Sequence, residues 1–71
     1  MSTFHIYSLV TGRHEATCTF DDPRDAALYR QRLERQLGEP LSSMIPLDEK
    51  RDAAHVRLMM DEYRRHQEEG R

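Results

Sequence analysis

Alternating apolar and polar residues at the start of the chain predict two β-strands. The first, Phe4 to Val10, is rich in aromatic and β-branched residues, and the second, Glu15 to Phe20, alternates regularly. The apolar positions that share a face within each strand are Phe4, Ile6 and Val10, then Ala16, Cys18 and Phe20. Because the residues between the strands include Gly12, which adopts a positive φ at no steric cost, the strands are expected to form a β-hairpin.

A segment with helical periodicity follows, in which apolar residues recur at intervals of three and four positions. These residues are Ala26, Tyr29, Leu33 and Leu37. The side chain of Asp22 can accept hydrogen bonds from the free N–H groups of the first turn. Pro23 is tolerated at the first helical position because an N–H there would have no partner within the helix. Gly38 can end the helix in a left-handed cap, and Pro40 prevents its continuation. The sequence therefore predicts a helix over Pro23 to Leu37.

The segment from Leu41 to Leu47 alternates imperfectly, and Pro46 restricts any strand to an edge or to the residues before it. A short third strand at Leu41 to Ile45 and an irregular connection both stay open. Asp48 then caps a predicted second helix that extends to about Glu68 and is about 30 Å long. Its apolar stripe comprises Ala53, Val56, Met60 and Tyr63, with Met59 on the flank.

These elements predict one small α+β domain over residues 1–71, with an N-terminal β-hairpin packed on two helices in the order β-β-α-(β)-α. A lone hairpin is marginal in water, so its apolar face is expected to lie against the helices. Tyr7 and Leu9 give the other face some apolar character as well. Residues 66–71 form a polar C-terminal tail that is expected to fray.

Composition and charge exclude several classes of function for this protein. The chain is 37% hydrophobic and 34% charged, and its 11 basic and 13 acidic residues leave a net charge of −2. This mixture creates no broad field that would attract nucleic acid or an anionic membrane. Cys18 is the only cysteine, which excludes an internal disulfide. No lysine or arginine precedes Arg13 and no long apolar run occurs, so we expect no signal peptide, no membrane association and a cytoplasmic location.

The sequence contains no catalytic motif, and a pair with metal-ligand spacing, Glu62 and His66, is of a kind that occurs by chance in most charged helices. His55 and His66 are eleven positions apart on the second helix and cannot chelate one ion, and His5 and His14 belong to the hairpin. The serines have no glycine-framed elbow, and the glycines lie too far apart for a phosphate-binding loop. The acidic pairs occupy helix starts and solvated faces. We therefore predict no enzymatic activity, no catalytic residue, no cofactor and no bound metal.

Two leucines lie away from the apolar stripes of their helices. Leu28 lies almost opposite the first stripe, and Leu58, with Ala54 beside it, lies well away from the second. Two such residues in so small a domain indicate a second apolar surface, unless the fold wraps a helix on two sides. Our hypothesis is a non-enzymatic protein–protein interaction module, a homodimeric regulator, adaptor or inhibitor of a larger bacterial or phage protein machine. Its partner or dimer interface would contain Leu28, Ala54 and Leu58.

The alternative hypothesis is a small nucleic-acid-associated regulator. Its contacts with phosphates would come from the first-helix arginines, Arg24, Arg30, Arg32 and Arg35. Asp25 and Glu34 dilute this basic character, and a nucleic-acid-binding domain usually has a clear positive excess on the contacting surface. The net charge of −2 therefore makes nucleic acid the second choice.

Overall fold

A computed structural model describes residues 1–69, which form three β-strands and two α-helices. The elements in chain order are β1 (Ser2–Ser8), β2 (His14–Phe20), α1 (Pro23–Leu37), β3 (Leu41–Met44) and α2 (Glu49–Glu69). The predicted α+β class and element order are confirmed, including the long second helix, and the third strand that the sequence left open is present. No helix in the described part of the chain is both long and apolar enough to cross a membrane.

The three strands form one antiparallel sheet with β1 in the centre, in the order β2-β1-β3. β1 pairs with β2 along most of its length, and a bulge interrupts the register between Ile6 and Tyr7. β3 covers only the second half of β1, where Ser8 lies opposite Leu41. With Pro46 two residues beyond its end, β3 is a short edge strand, as proline requires.

The two helices lie on opposite faces of this sheet. On one face, the ring centroid of Tyr29 in α1 is 6.0 Å from that of Phe20 in β2. On the other face, the Ser42 hydroxyl in β3 lies 3.0 Å from the sulfur of Met59 in α2. Successive strand residues point to opposite faces, so α1 covers the face of Phe4, Ile6 and Leu41, while α2 covers the face of Tyr7 and Ser42. Each face of the hairpin thus contacts a different helix, and a single apolar face does not lie against both.

β1 ends at Ser8, two residues before the predicted end at Val10. The hydroxyl of Ser8 accepts hydrogen bonds from the backbone N–H groups of Val10 and Thr11, each at 3.2 Å. The backbone N–H of Gly12 donates to the Ser8 carbonyl at 2.9 Å, and Gly12 has a φ of +75°. These bonds turn the chain immediately after Ser8. The assignment of Val10 to the inward strand face is therefore wrong, and its side chain is exposed.

The helix ends follow the capping residues that the sequence predicts. The Asp22 carboxylate accepts the N–H of Arg24 at 2.9 Å, and Gly38 ends α1 in a left-handed conformation. The predicted bounds of α1 are confirmed. At α2, the Asp48 carboxylate accepts the N–H of Lys50 at 3.0 Å. α2 continues to Glu69, and the remainder of the predicted frayed tail, Gly70 and Arg71, lies outside the described residues.

The core is small and lies mainly around β1. Its buried hydrophobic residues are Phe4, Ile6, Ala26, Leu41 and Val56. Of the predicted α1 stripe, only Ala26 is fully buried; Leu33 is half-buried, and Tyr29 and Leu37 are exposed. Ser8 and Asp52 are buried polar residues. Both make the hydrogen bonds that a buried polar group requires.

Candidate functional site

An open cleft of about 550 Å³ separates the hairpin from the first half of α2. The hairpin lines it with two histidines and a tyrosine, and α2 lines it with charged and apolar side chains. The polar residues of the cleft are His5, Tyr7, Thr11, His14, Glu49, Asp52 and Arg57. Concave sites with a few convergent polar groups are the usual location of ligand binding, so this cleft is the first candidate.

The aromatic rings of the cleft pack against one another. The ring centroids of His5 and His14 are 4.6 Å apart, and those of Tyr7 and His14 are 5.2 Å apart. The Tyr7 hydroxyl lies 3.3 Å from Nδ1 of His5, and the Thr17 hydroxyl lies 2.9 Å from Nε2 of His14. The rings therefore lie between the strands and α2, and one nitrogen of each histidine is within hydrogen-bond distance of a hydroxyl of the sheet.

The contact between His5 and His14 was not predicted from the sequence, because it depends on the register of the hairpin. The bulge in β2 places His14 opposite Tyr7, so that both side chains point toward α2. Without the bulge, the alternation within β2 would put His14 on the same face as Ala16. Because the extra residue of a bulge is not visible in the apolar pattern, the contact between His5 and His14 could not be derived from spacing alone.

Asp52 is the second feature of the cleft that sequence reasoning missed. Its side chain is 7% exposed, and its carboxylate accepts the backbone N–H of Leu47 at 3.2 Å and 3.3 Å and that of Asp48 at 3.4 Å. The carboxylate thus holds the segment before α2 onto the first turn of the helix, an arrangement related to a capping box. Hydrogen bonding to the backbone gives this buried carboxylate a structural role.

Raising the pH above about 10 is expected to destabilise the wild-type protein more than it destabilises the Tyr7→Phe variant. Burial, followed by the nearby Asp52 carboxylate, raises the pKa of Tyr7 above its ordinary value of 10.0. The unfolded chain therefore releases this proton at a lower pH than the folded protein, and stability is lost as the pH rises through this range. Melting temperatures measured between about pH 8 and about pH 11 test this. A parallel decline in both proteins would contradict it.

The surroundings of two potential nucleophiles, the Cys18 thiol and the Ser8 hydroxyl, favour structural roles for both. Burial raises the pKa of the Cys18 thiol, which lowers the fraction of reactive thiolate. The buried Ser8 hydroxyl donates to a carboxylate oxygen of Glu39 at 3.0 Å while accepting two backbone N–H groups. Within residues 1–69, no group of three or more histidine, cysteine or acidic side chains is arranged to hold a metal ion. The absence of enzymatic activity and of a bound metal stays a prediction.

The three predicted interface residues are all exposed, but they belong to two separate surfaces. Leu28 on α1 is 57% exposed, and Leu58 on α2 is 62% exposed, with Ala54 exposed beside it. Since α1 and α2 cover opposite faces of the sheet, Leu28 cannot join the other two in one patch. The surface around Leu58, here called the α2 outer face, comprises Lys50, Ala53, Ala54, Arg57, Leu58 and Asp61. The surface around Leu28, here called the α1 side face, comprises Phe20, Asp25, Leu28, Tyr29 and Arg32.

The four arginines of the nucleic-acid hypothesis do not share one face of α1. Arg30 is half-buried, forms an ion pair with Glu34 and donates to the Leu41 carbonyl at 3.4 Å. Its guanidinium is therefore committed to the protein itself. Arg24 is exposed and lies 3.5 Å from the Asp22 carboxylate, whereas Arg32 belongs to the α1 side face. Arg35 is exposed near the end of the helix.

The outer edge of β2 is a further surface that the sequence analysis did not consider. In the described part of the chain, β2 pairs with β1 alone, so one edge of this seven-residue strand has no strand beside it. The side chains of Phe20, Tyr29 and Leu28 continue from this edge onto the α1 side face.

The comparisons with protein families, with curated proteins and with solved structures give no significant match for this chain.

Proposed function

We propose that the protein is a non-enzymatic protein–protein interaction module, located in the cytoplasm, which pairs with a second copy of itself and regulates, links or inhibits a larger bacterial or phage protein machine. The observation that supports this is the separation of its exposed apolar residues into two surfaces on opposite sides of the sheet. Leu28 lies on one side and Leu58 on the other. A chain of this design can occupy one surface by self-association and keep the other free for a partner.

The α2 outer face is the surface that we assign to the partner. Lys50, Ala54, Leu58 and Asp61 follow one another at helical spacing along its length. The backbone groups in the middle of a helix are bonded within the helix, so this face offers nothing to an incoming β-strand. The small side chains of Ala53 and Ala54 instead allow close approach of a second helix. The occupant that fits is an amphipathic helix of the partner protein.

The charges of the α2 outer face define the expected chemistry of that helix. Lys50 and Arg57 lie toward the N-terminal side of Leu58, and Asp61 lies on its C-terminal side. A complementary helix would place an apolar residue against Leu58 and acidic residues against the two cations. A basic residue would face Asp61. Opposite charges placed in this way determine orientation and partner choice more than affinity.

Capture from a native-host lysate is expected to lose its main protein partner when Leu58 is replaced by glutamate. A new carboxylate costs little on a solvated face but several kcal/mol in a buried contact, so binding of the purified partner should weaken at least about tenfold. His55→Glu is the matched control, because His55 is an exposed residue of the same helix outside the α2 outer face. It should capture the same protein as the wild type.

The outcomes of this experiment differ in their salt dependence. Contact with an amphipathic helix should tolerate added salt, and the Leu58→Glu variant should lose the partner at every salt concentration. Equal capture by wild type and Leu58→Glu would overturn the assignment of the α2 outer face. Recovery of nucleic acid whose binding falls steeply with salt, and weakens on replacement of Arg35, would favour the nucleic-acid-associated alternative.

A further inference from the structure

The exposed edge of β2 lacks most of the features by which proteins usually protect a sheet edge. Such edges are blunted by lysine, proline, a bulge, short length or a covering element. β2 has seven residues and no lysine or proline, and its bulge lies at the His14 end. Ala16 to Phe20 therefore present a regular row of backbone groups. The opposite edge, β3, has only four residues and lies between Pro40 and Pro46.

We infer that β2 pairs with β2 of a second copy about a two-fold axis at Thr17, forming a continuous six-stranded antiparallel sheet. This inference specifies the interface of the homodimer in the proposed function, and it rests on the proposal that the protein is a homodimer. In this register Thr17 lies opposite Thr17 of the second copy, and Ala16 lies opposite Cys18. A two-fold contact of this kind satisfies both edges at once and leaves neither available for further strand addition.

The α1 side face supports the same axis independently. Leu28 and Tyr29 lie at its centre, and their midpoint is about 8 Å along the helix from Pro23. Thr17 is three residues before Phe20, about 10 Å from the end of β2. Because β2 and α1 are joined by the two-residue turn Asp21–Asp22, these two distances start from the same end of the domain. A single two-fold axis can therefore pass close to Thr17 in β2 and to the centre of the α1 side face.

The charges on the α1 side face are complementary to themselves under this rotation. Asp25 and Arg32 lie at equal distances in sequence before and after the midpoint of Leu28 and Tyr29. When the α1 helices of two copies meet antiparallel about that midpoint, Asp25 of each faces Arg32 of the other. The arrangement also brings Leu28 against Tyr29 of the second copy, which would shield the apolar part of the surface from water. Self-complementarity of charge favours a second copy over an unrelated partner.

Site-directed cross-linking tests the register directly. In a Cys18→Ala background, Thr17→Cys should form a disulfide-linked dimer under mild oxidation at micromolar protein concentration. Directly opposite residues of an antiparallel pair have Cα atoms about 4.5–5.5 Å apart, within the range of a disulfide. Thr19→Cys in the same background is the matched control, since Thr19 is also exposed on β2. Its two copies would be about 13 Å apart along the paired strands and should not cross-link.

Charge reversal tests the α1 side face without touching the strand. Arg32→Asp places two acidic residues opposite each other in both halves of the dimer, and should weaken dimerisation about tenfold. The double variant Asp25→Arg/Arg32→Asp restores opposite charges, and should recover most of the lost affinity. Gln31→Asp is the control, because Gln31 is exposed on α1 outside this face. Analytical ultracentrifugation measures the dissociation constants, and circular dichroism verifies the fold of each variant.

Each result bears on the inference. Preferential cross-linking at residue 17 together with rescue by the double variant would support the two-fold arrangement. Equal cross-linking at residues 17 and 19, or a monomeric wild type at high micromolar concentration, would overturn it. These outcomes are independent of the α2 outer face, because Leu58→Glu leaves β2 and α1 unchanged. A failed dimer test is thereby distinguished from a failed partner test.

Discussion

Asp52→Ala is expected to lower the free energy of unfolding by about 3 kcal/mol, which is a large fraction of the stability of a domain this small. The carboxylate is buried and accepts backbone N–H groups of Leu47 and Asp48, which precede α2. Its removal leaves these donors without their acceptor and frees the segment that joins β3 to the helix. Urea denaturation followed by circular dichroism measures the change.

Glu49→Ala is the control for the loss of a negative charge near the start of the helix. Glu49 belongs to the same first turn as Asp52 but is exposed. Its charge interacts with the helix dipole through solvent, so its replacement should change stability by only about 0.5 kcal/mol. A comparable loss in the two variants would mean that the charge at the helix start matters, and that the buried hydrogen bonds of Asp52 do not.

The sequence predicted α1 well because the signals for this helix are local. Asp22 and Pro23 define its start and Gly38 its end through conformations and hydrogen bonds that involve only neighbouring residues. The end of β1 was predicted less well. The Ser8 hydroxyl turns the chain by accepting two N–H groups, and serine is equally compatible with continuation of a strand. The apolar Leu9 and Val10 extended the predicted strand into this turn.

The arrangement of layers could not be read from periodicity. Alternation shows that Ile6 and Tyr7 point to opposite faces of β1, but it does not say which helix covers which face. Tyr7 and Leu9 were the residues that gave the second face of the predicted hairpin some apolar character. The burial of Asp52 was equally hidden, because an acidic residue in the first turn of a helix is normally solvated. Its role depends on the path of the chain after β3, which the sequence pattern left open.

The candidate surfaces were predictable only in part. Leu28, Ala54 and Leu58 were identified as exposed apolar residues because each lies off the stripe of its own helix. Their division between two sides of the molecule depends on tertiary structure. The β2 edge was not identified, because any strand of a hairpin can gain a further neighbour. Here β3 joins β1, and β2 is left with a free edge in the described part of the chain.

Gly12→Ala is expected to destabilise the protein by about 2 kcal/mol, more than the same change at Gly38. Both glycines have positive φ angles, +75° at Gly12 and +69° at Gly38, so alanine is strained at either position. The difference lies in their surroundings. A Cβ at Gly12 would lie 3.0 Å from the sulfur of Met60 and 3.8 Å from Val56, whereas one at Gly38 meets nothing within 4 Å. Gly38→Ala therefore measures the backbone strain alone, about 1 kcal/mol.

The excess cost at Gly12 measures how closely α2 packs on the hairpin loop, and a double-mutant cycle with Met60→Ala isolates it. If the helix lies where the structure has it, shortening Met60 removes the close contact. Gly12→Ala should then cost only about 1 kcal/mol in the Met60→Ala background, close to the value at Gly38. Denaturant unfolding of the four proteins of the cycle gives the coupling energy. A coupling near zero would mean that the Met60 side chain moves aside without cost or that α2 stands away from the loop, and would contradict a close contact at Gly12.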